Sequence, residues 1–323
     1  MIVAFLLLSL LVAVSTFSAV VVPRRPTMLG FLVFLFGLLP SELPFVCLVW
    51  DVVLLVVFGM LGTFDSTLGV VAVALLALSA VGQIILAVRA AAAGPVVDRA
   101  LRDALGATFD DEIDDALARD LRTRVPLPPV LLTPFVSKRR DVVRVADLAY
   151  GDAGIRNWLD LYYHRSRPEG SPILVYVHGG AWVTGKKSRQ GMPIVYHFAR
   201  RGWLCVAPNY RLCPAATFPD QLVDVKRVIA WVREHAEEYG GDPSQVFMAG
   251  GSAGGHLTAL AALTANDSAY QPGFEHVDTS LTAAMPLYGD YDWLDSNGER
   301  QRRHLERFDF FADKILKCSL ESD

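Results

Sequence analysis

Val246-Phe247-Met248-Ala249-Gly250-Gly251-Ser252-Ala253-Gly254-Gly255-His256-Leu257 runs from a short β-prone segment into an apolar helical one, and a serine between glycines marks the join. Positions 250 to 254 fit G-x-S-x-G. The glycines have a steric reason: a serine on a tight strand-to-helix turn adopts a strained backbone, and small neighbours let its Oγ stand clear. Composition alone yields such a match in roughly one chain in ten of this length, so the motif needs a partner.

The partner is His178-Gly179-Gly180-Ala181-Trp182, directly after the β-branched run Ile173 to Val177. Attack on a carbonyl puts negative charge on its oxygen, and backbone N–H groups of a glycine turn can meet that charge without reorganising. Gly179, Gly180 and Ala253 are the expected donors, with Ser252 as nucleophile. Around these motifs, apolar runs alternate with amphipathic ones, the pattern of an α/β sheet. Expected strands are Val142 to Tyr150, Asn157 to Tyr163, Ile173 to Val177, Trp203 to Ala207, Val246 to Met248 and Leu281 to Tyr288. Expected helices cover Met192 to Arg201, Gln221 to Tyr239 and Ala253 to Thr264. Ligands of such sheets bind at the carboxyl ends of the strands.

From about Val142 to Tyr291 the chain resembles the hormone-sensitive-lipase-like carboxylesterases and arylformamidases of the α/β-hydrolase superfamily. Asn209-Tyr210-Arg211-Leu212, Phe218-Pro219 and Gly240-Gly241-Asp242-Pro243-Ser244 carry further parts of the resemblance. It implies an α/β-hydrolase fold and an acyl-enzyme on Ser252 formed from a small-molecule or lipid-like ester, with no metal or organic cofactor. It also implies a loop-supporting role for His178. Two departures are Gly251, where many members carry an acidic residue, and Ala181 in place of a third glycine. Trp182 reads as a packing or pocket-wall residue, His256 as a core or capping histidine, and Asp224 as part of a helix face.

The mechanism also needs an acid and a histidine after the serine. Asp290, Asp292 and Asp295 come too early for the acid, and His304 sits in a charged helical stretch, so neither role is assigned. The chain ends at Asp323 and reads as stopping before both residues. Besides the esterase, two alternatives stand: a catalytically dead membrane-bound remnant and an arylformamidase-like amidase.

The first ninety residues differ in kind. Met1 to Ala90 holds only Arg24, Arg25, Glu42, Asp51, Asp65 and Arg89 as charges. A helix crosses a bilayer with about 20 apolar residues, which Val3 to Val22, Pro44 to Leu61 and Leu68 to Val88 approach. Met28 to Leu39 is a kinked lead-in or a fourth span. The start lacks the basic residues of a cleaved signal peptide, so an uncleaved anchor is expected. Arg24 and Arg25 favour the cytoplasm, and three spans then put the catalytic domain there, whereas four put it opposite. Asp51, within an apolar run, reads as a helix-end or neutralised carboxyl.

Residues 1–90 thus read as a multi-pass membrane region, 91–140 as linker and cap helices, and 141–323 as a partial α/β-hydrolase domain. In the middle segment, Val97, Leu101 and Leu105, then Phe109, Ile113, Leu117 and Leu121, predict two amphipathic helices. Gly106 ends the first, and Thr108 with Asp111 caps the second. The acids Asp110, Asp111, Glu112, Asp114 and Asp115 lack calcium-loop spacing and read as a solvated face. Pro126, Pro128, Pro129 and Pro134 make an extended connector. A net charge of −4 without a basic run excludes a nucleic-acid binder. Cys47, Cys205, Cys213 and Cys318 lack zinc-ligand spacing and read as buried thiols.

Overall fold

The computed structural model describes residues 1–21, 28–113, 138–166, 169–291 and 315–316. It forms two compact units, Met1–Val136 and Ser137–Asp323.

The first unit is helical: α1 (Ile2–Val20), α2 (Met28–Glu42), α3 (Pro44–Met60), α4 (Thr67–Ala91) and α5 (Ala93–Leu105). Among the described residues, two helices are long and apolar enough to cross a membrane, Ile2–Val20 and the continuous run Thr67–Leu105. The expected span beginning at Pro44 is a 17-residue helix, and it is bent by 92° from Val33–Glu42 just before it. Pro44 lacks an N–H to continue the preceding helix. Asp51 lies inside α3 and is buried, so it is no helix-end residue. Phe5, Ala72 and Leu76 form the unit's small core, and most other large apolar side chains of α1, α3 and α4 are exposed.

α5 ends at Gly106, whose φ of 102° suits glycine. The segment after it departs from expectation. Phe109–Glu112 is a 3-10 turn, and Thr108 makes no side-chain cap. Asp110 pairs with Arg102 of α5 at 2.7 Å. Leu117, Leu121, Asp114, Asp115 and the four connector prolines lie outside the described residues, as do Arg24, Arg25 and Cys318.

The second unit holds β1 (Val142–Ala149), β2 (Trp158–His164), β3 (Ser171–Val177), α6 (Met192–Arg200), β4 (Leu204–Pro208), α7 (Asp220–His235), β5 (Gly241–Gly251), α8 (Ala253–Leu263) and β6 (Ala283–Leu287). The sheet order is β1-β2-β4-β3-β5-β6. The β1–β2 and β2–β4 pairs are antiparallel, and β4, β3, β5 and β6 run parallel. Parallel neighbours need crossovers, which α6, α7 and α8 supply. The central strands are buried on both faces, as their unbroken apolar runs require. Leu222, Val225, Ile229 and Val232 of α7 pack with Val175, Val206 and Met248 on one face. Val195 and Ala199 of α6 pack with Leu174 and Cys205 on the other. β5 begins at Gly241 rather than Val246, because Gly241 already pairs with Ser171 ahead of a bulge.

Candidate active site

The register of two neighbouring strands creates the site. Tyr176 pairs with Ala249 and Val177 with Gly250 in the parallel β3–β5 ladder. The chain leaving β3 at His178 and the chain leaving β5 at Ser252 therefore emerge side by side at the carboxyl edge. The approach is close: a Cβ built on Gly179 would stand 2.5 Å from Gly251 O and 3.2 Å from the Ser252 Cβ. Only glycine fits there.

Ser252 sits between β5 and α8 at φ 55° and ψ −120°, and it is exposed. A non-glycine residue held in that region stores about 1–3 kcal/mol of strain. Two bonds hold it: its N–H donates to Leu287 O at 2.9 Å, and its carbonyl accepts from His256 N–H at 2.9 Å. Ala253 is the first helical residue, so its N–H has no carbonyl one turn earlier to bond. A Cβ at Gly251 would meet the Tyr288 hydroxyl, the far end of an exposed side chain.

Across from the serine, Gly180 O accepts from Val183 N–H at 3.1 Å and Thr184 N–H at 3.0 Å. This tight turn puts Ala181 at φ 50° and Trp182 at φ 59°. Gly179 N–H donates to Gln190 Oε1 at 2.7 Å. Among the described residues, the N–H groups of Gly180 and Ala253 have no protein acceptor. Gln190 was not legible as a site residue, because nothing in its local sequence distinguishes it from any other polar loop residue.

The loop is anchored from beneath. Tyr210 Oη donates to His178 O at 2.9 Å, and its ring stacks on His178 at 4.4 Å. Further along, Lys187 reaches back to the fully buried Asp160 of β2, and also bonds Asp147 Oδ1 at 2.6 Å. Burial alone would raise the Asp160 carboxyl, but Lys187, the Asp147 N–H and Arg144 outweigh it and hold the group below the ordinary carboxylate value. Asp224 is more than part of a helix face. It is fully buried and takes both the backbone N–H and the guanidinium of Arg211, fastening Asn209–Leu212 to α7. Trp182 is buried in the main core. His256 is half-buried, and its ring meets the core residue Trp182 edge-on at 5.2 Å. Asp292, Asp295 and His304 lie outside the described residues.

Burial drives His178 from the ordinary 6.5 down to about 4, so the ring is neutral at physiological pH. An unfolded chain regains the ordinary value and binds the proton more readily. His178 therefore contributes stability that is complete above pH 6.5 and is lost as the pH falls towards about 4, of order 3 kcal/mol in all. Thermal melts over that window are expected to show the decline, with a shallower slope for His178→Phe. Equal slopes would remove His178 as its source.

The BD-FAE family model matches residues 159–310. LipM of Mycobacterium tuberculosis, a probable carboxylic ester hydrolase, is 50% identical over 159 residues, 48% of this chain and 36% of LipM. Esterase LipQ of the same organism is 40% identical over 227 residues, 67% of this chain and 52% of LipQ. Its esterase LipC is 37% identical over 202 residues, 61% of this chain and 48% of LipC. The chain thus spans about half or less of the length of these relatives. With the sheet order, the G-x-S-x-G turn and the facing glycine loop, these matches show an α/β-hydrolase fold and a chain similar to carboxylic ester hydrolases.

Proposed function

We propose that the chain hydrolyses carboxylic esters through an acyl-enzyme on Ser252. The observation that carries this reading is the exposed, strained Ser252 directly beside the Gly179 backbone. Its Oγ attacks the ester carbonyl, the alcohol leaves, and water releases the acyl group. The negative oxygen formed at each step is met by the N–H groups of Gly180 and Ala253. Gly179 N–H joins them when the oxyanion displaces Gln190 Oε1, and His178 holds the loop through its stack on Tyr210. The base that takes the Ser252 proton follows the serine in such hydrolases.

The reading is tested with purified full-length protein in nanodiscs, offered p-nitrophenyl acyl esters and an N-formyl arylamine. With the acid and base that follow the serine supplied, ester turnover well above formamide turnover is expected. The reverse preference would make the chain an amidase, and ester turnover no faster than buffer would remove the esterase reading.

We further propose that residues 1–90 anchor the enzyme in a membrane, favouring apolar, lipid-like esters. Support comes from Ile2–Val20, Thr67–Leu105 and the bent pair between them. Counted as three crossings, with Arg24 and Arg25 obeying the positive-inside rule, they put the catalytic domain in the cytoplasm. The chain is expected to stay with the membrane pellet through alkaline carbonate washing, and its second unit to resist protease added outside intact cells. Release by carbonate would contradict the anchor, and external cleavage the sidedness.

A further inference from the structure

Three helices of the first unit bring polar side chains together inside an apolar bundle: Thr16 of α1, Asp51 of α3, and Ser79 and Gln83 of α4. None is more than 3% exposed. Gln83 Nε2 donates to Asp51 Oδ2 at 3.0 Å and lies 3.1 Å from Ser79 Oγ. The Thr16 and Ser79 hydroxyls are 2.7 Å apart. Two acceptor atoms of the cluster, Asp51 Oδ1 and Gln83 Oε1, have no hydrogen-bond partner among the described residues.

Both unmet atoms are of the same kind. An ionised carboxylate and an amide oxygen each accept and cannot satisfy one another. Among the described residues no cation pairs with Asp51, and one amide bond is poor compensation for a charge in apolar surroundings, which costs several kcal/mol. A single proton resolves both problems. On Oδ1 it removes the charge and creates the donor that Gln83 Oε1 lacks. A hard cation is a worse fit, since it takes about six oxygen ligands and the hydroxyls here already bond one another.

We propose that Asp51 is a proton-binding site: its Oδ1–H donates to Gln83 Oε1 while Gln83 Nε2–H donates to Asp51 Oδ2. This reciprocal acid–amide pair fastens α3 to α4, and the Thr16–Ser79 hydroxyl pair ties α1 to the same place. Cys47, one turn earlier on α3, is the titratable neighbour. From α1 and α4 the described residues that face the pair are Thr16, Ser79 and Gln83, all uncharged. The site is independent of the serine chemistry.

The test is infrared spectroscopy of the full chain in nanodiscs, labelled with carboxyl-13C aspartate. At neutral pH the wild type is expected to show a carboxylic-acid C=O band with the intensity of one carboxyl per chain. Asp51→Asn removes that band, and Gln83→Leu shifts it to higher frequency by taking away the acceptor. The wild-type alkaline-minus-neutral difference spectrum, which needs no variant, shows the same band converting to carboxylate. A neutral-pH spectrum containing carboxylate alone overturns the proposal. So does an acid band abolished by sodium chloride but not by choline chloride, which would make the ligand a metal cation.

Discussion

With the acid and base that follow the serine supplied, Ser252→Ala is expected to lower kcat/KM for a p-nitrophenyl ester by roughly 10^4-fold or more, the scale seen when a serine hydrolase loses its nucleophile. The fold should be unchanged, because alanine keeps the Cβ and so meets the same backbone at φ 55° and ψ −120°. Ser252→Gly separates chemistry from strain. It removes the same hydroxyl, and it relieves a conformation that only glycine adopts freely, so it should abolish turnover while stabilising the second unit by about 1 kcal/mol. Steady-state kinetics alongside thermal melts check both halves. Retained turnover in either variant would show that the hydroxyl is not the nucleophile, and a destabilised glycine variant would show that the turn stores no strain.

Gly254→Ala is expected to damage both stability and rate from a position that bears no reacting atom. A Cβ at 254 would collide with Val177 O and come within 2.6 Å of His178 O, both of them backbone. No side-chain rotation relieves such a clash, so α8 must move away from the end of β3. Overpacking of this kind costs about 1–3 kcal/mol. The same movement separates Ala253 N–H from the Gly179–Gly180 turn, and a displacement of about 1 Å in a catalytic constellation costs roughly 10^2-fold in kcat. A loss of kcat exceeding the change in KM, in a variant that still melts cooperatively, is the expected pattern. Wild-type kcat in Gly254→Ala would mean that the close packing of α8 on β3 does not set the donor geometry.

The elements nearest the serine were the most legible in sequence. The run Ile173 to Val177 is apolar throughout, rich in β-branched residues and followed at once by a glycine turn. Both this strand and the helix from Ala253 lie where their patterns put them. The turn at Ser252 was legible because steric need leaves glycines behind. Contacts made across long separations left no such mark. Gln190 reaches Gly179 through a loop whose path depends on Lys187 finding Asp160 of β2, and no local pattern encodes that meeting. Asp224 reads in sequence only as part of a helix face, because helical periodicity does not reveal that Arg211 folds over it. Thr108 carried a capping signature, yet it makes no side-chain cap. In the first unit, hydropathy located the apolar helices, and the kinked lead-in, one of the two readings of Met28 to Leu39, matches the 92° bend before Pro44.

The most direct measurement is covalent labelling of the full-length protein with a fluorophosphonate, followed by mass spectrometry of its peptides. An adduct on Ser252 is expected, absent from Ser252→Ala and weakened in Gly254→Ala as the donors move away. Equal labelling of wild type and Ser252→Ala, or an adduct confined to another residue, would contradict a nucleophile at the β5–α8 turn.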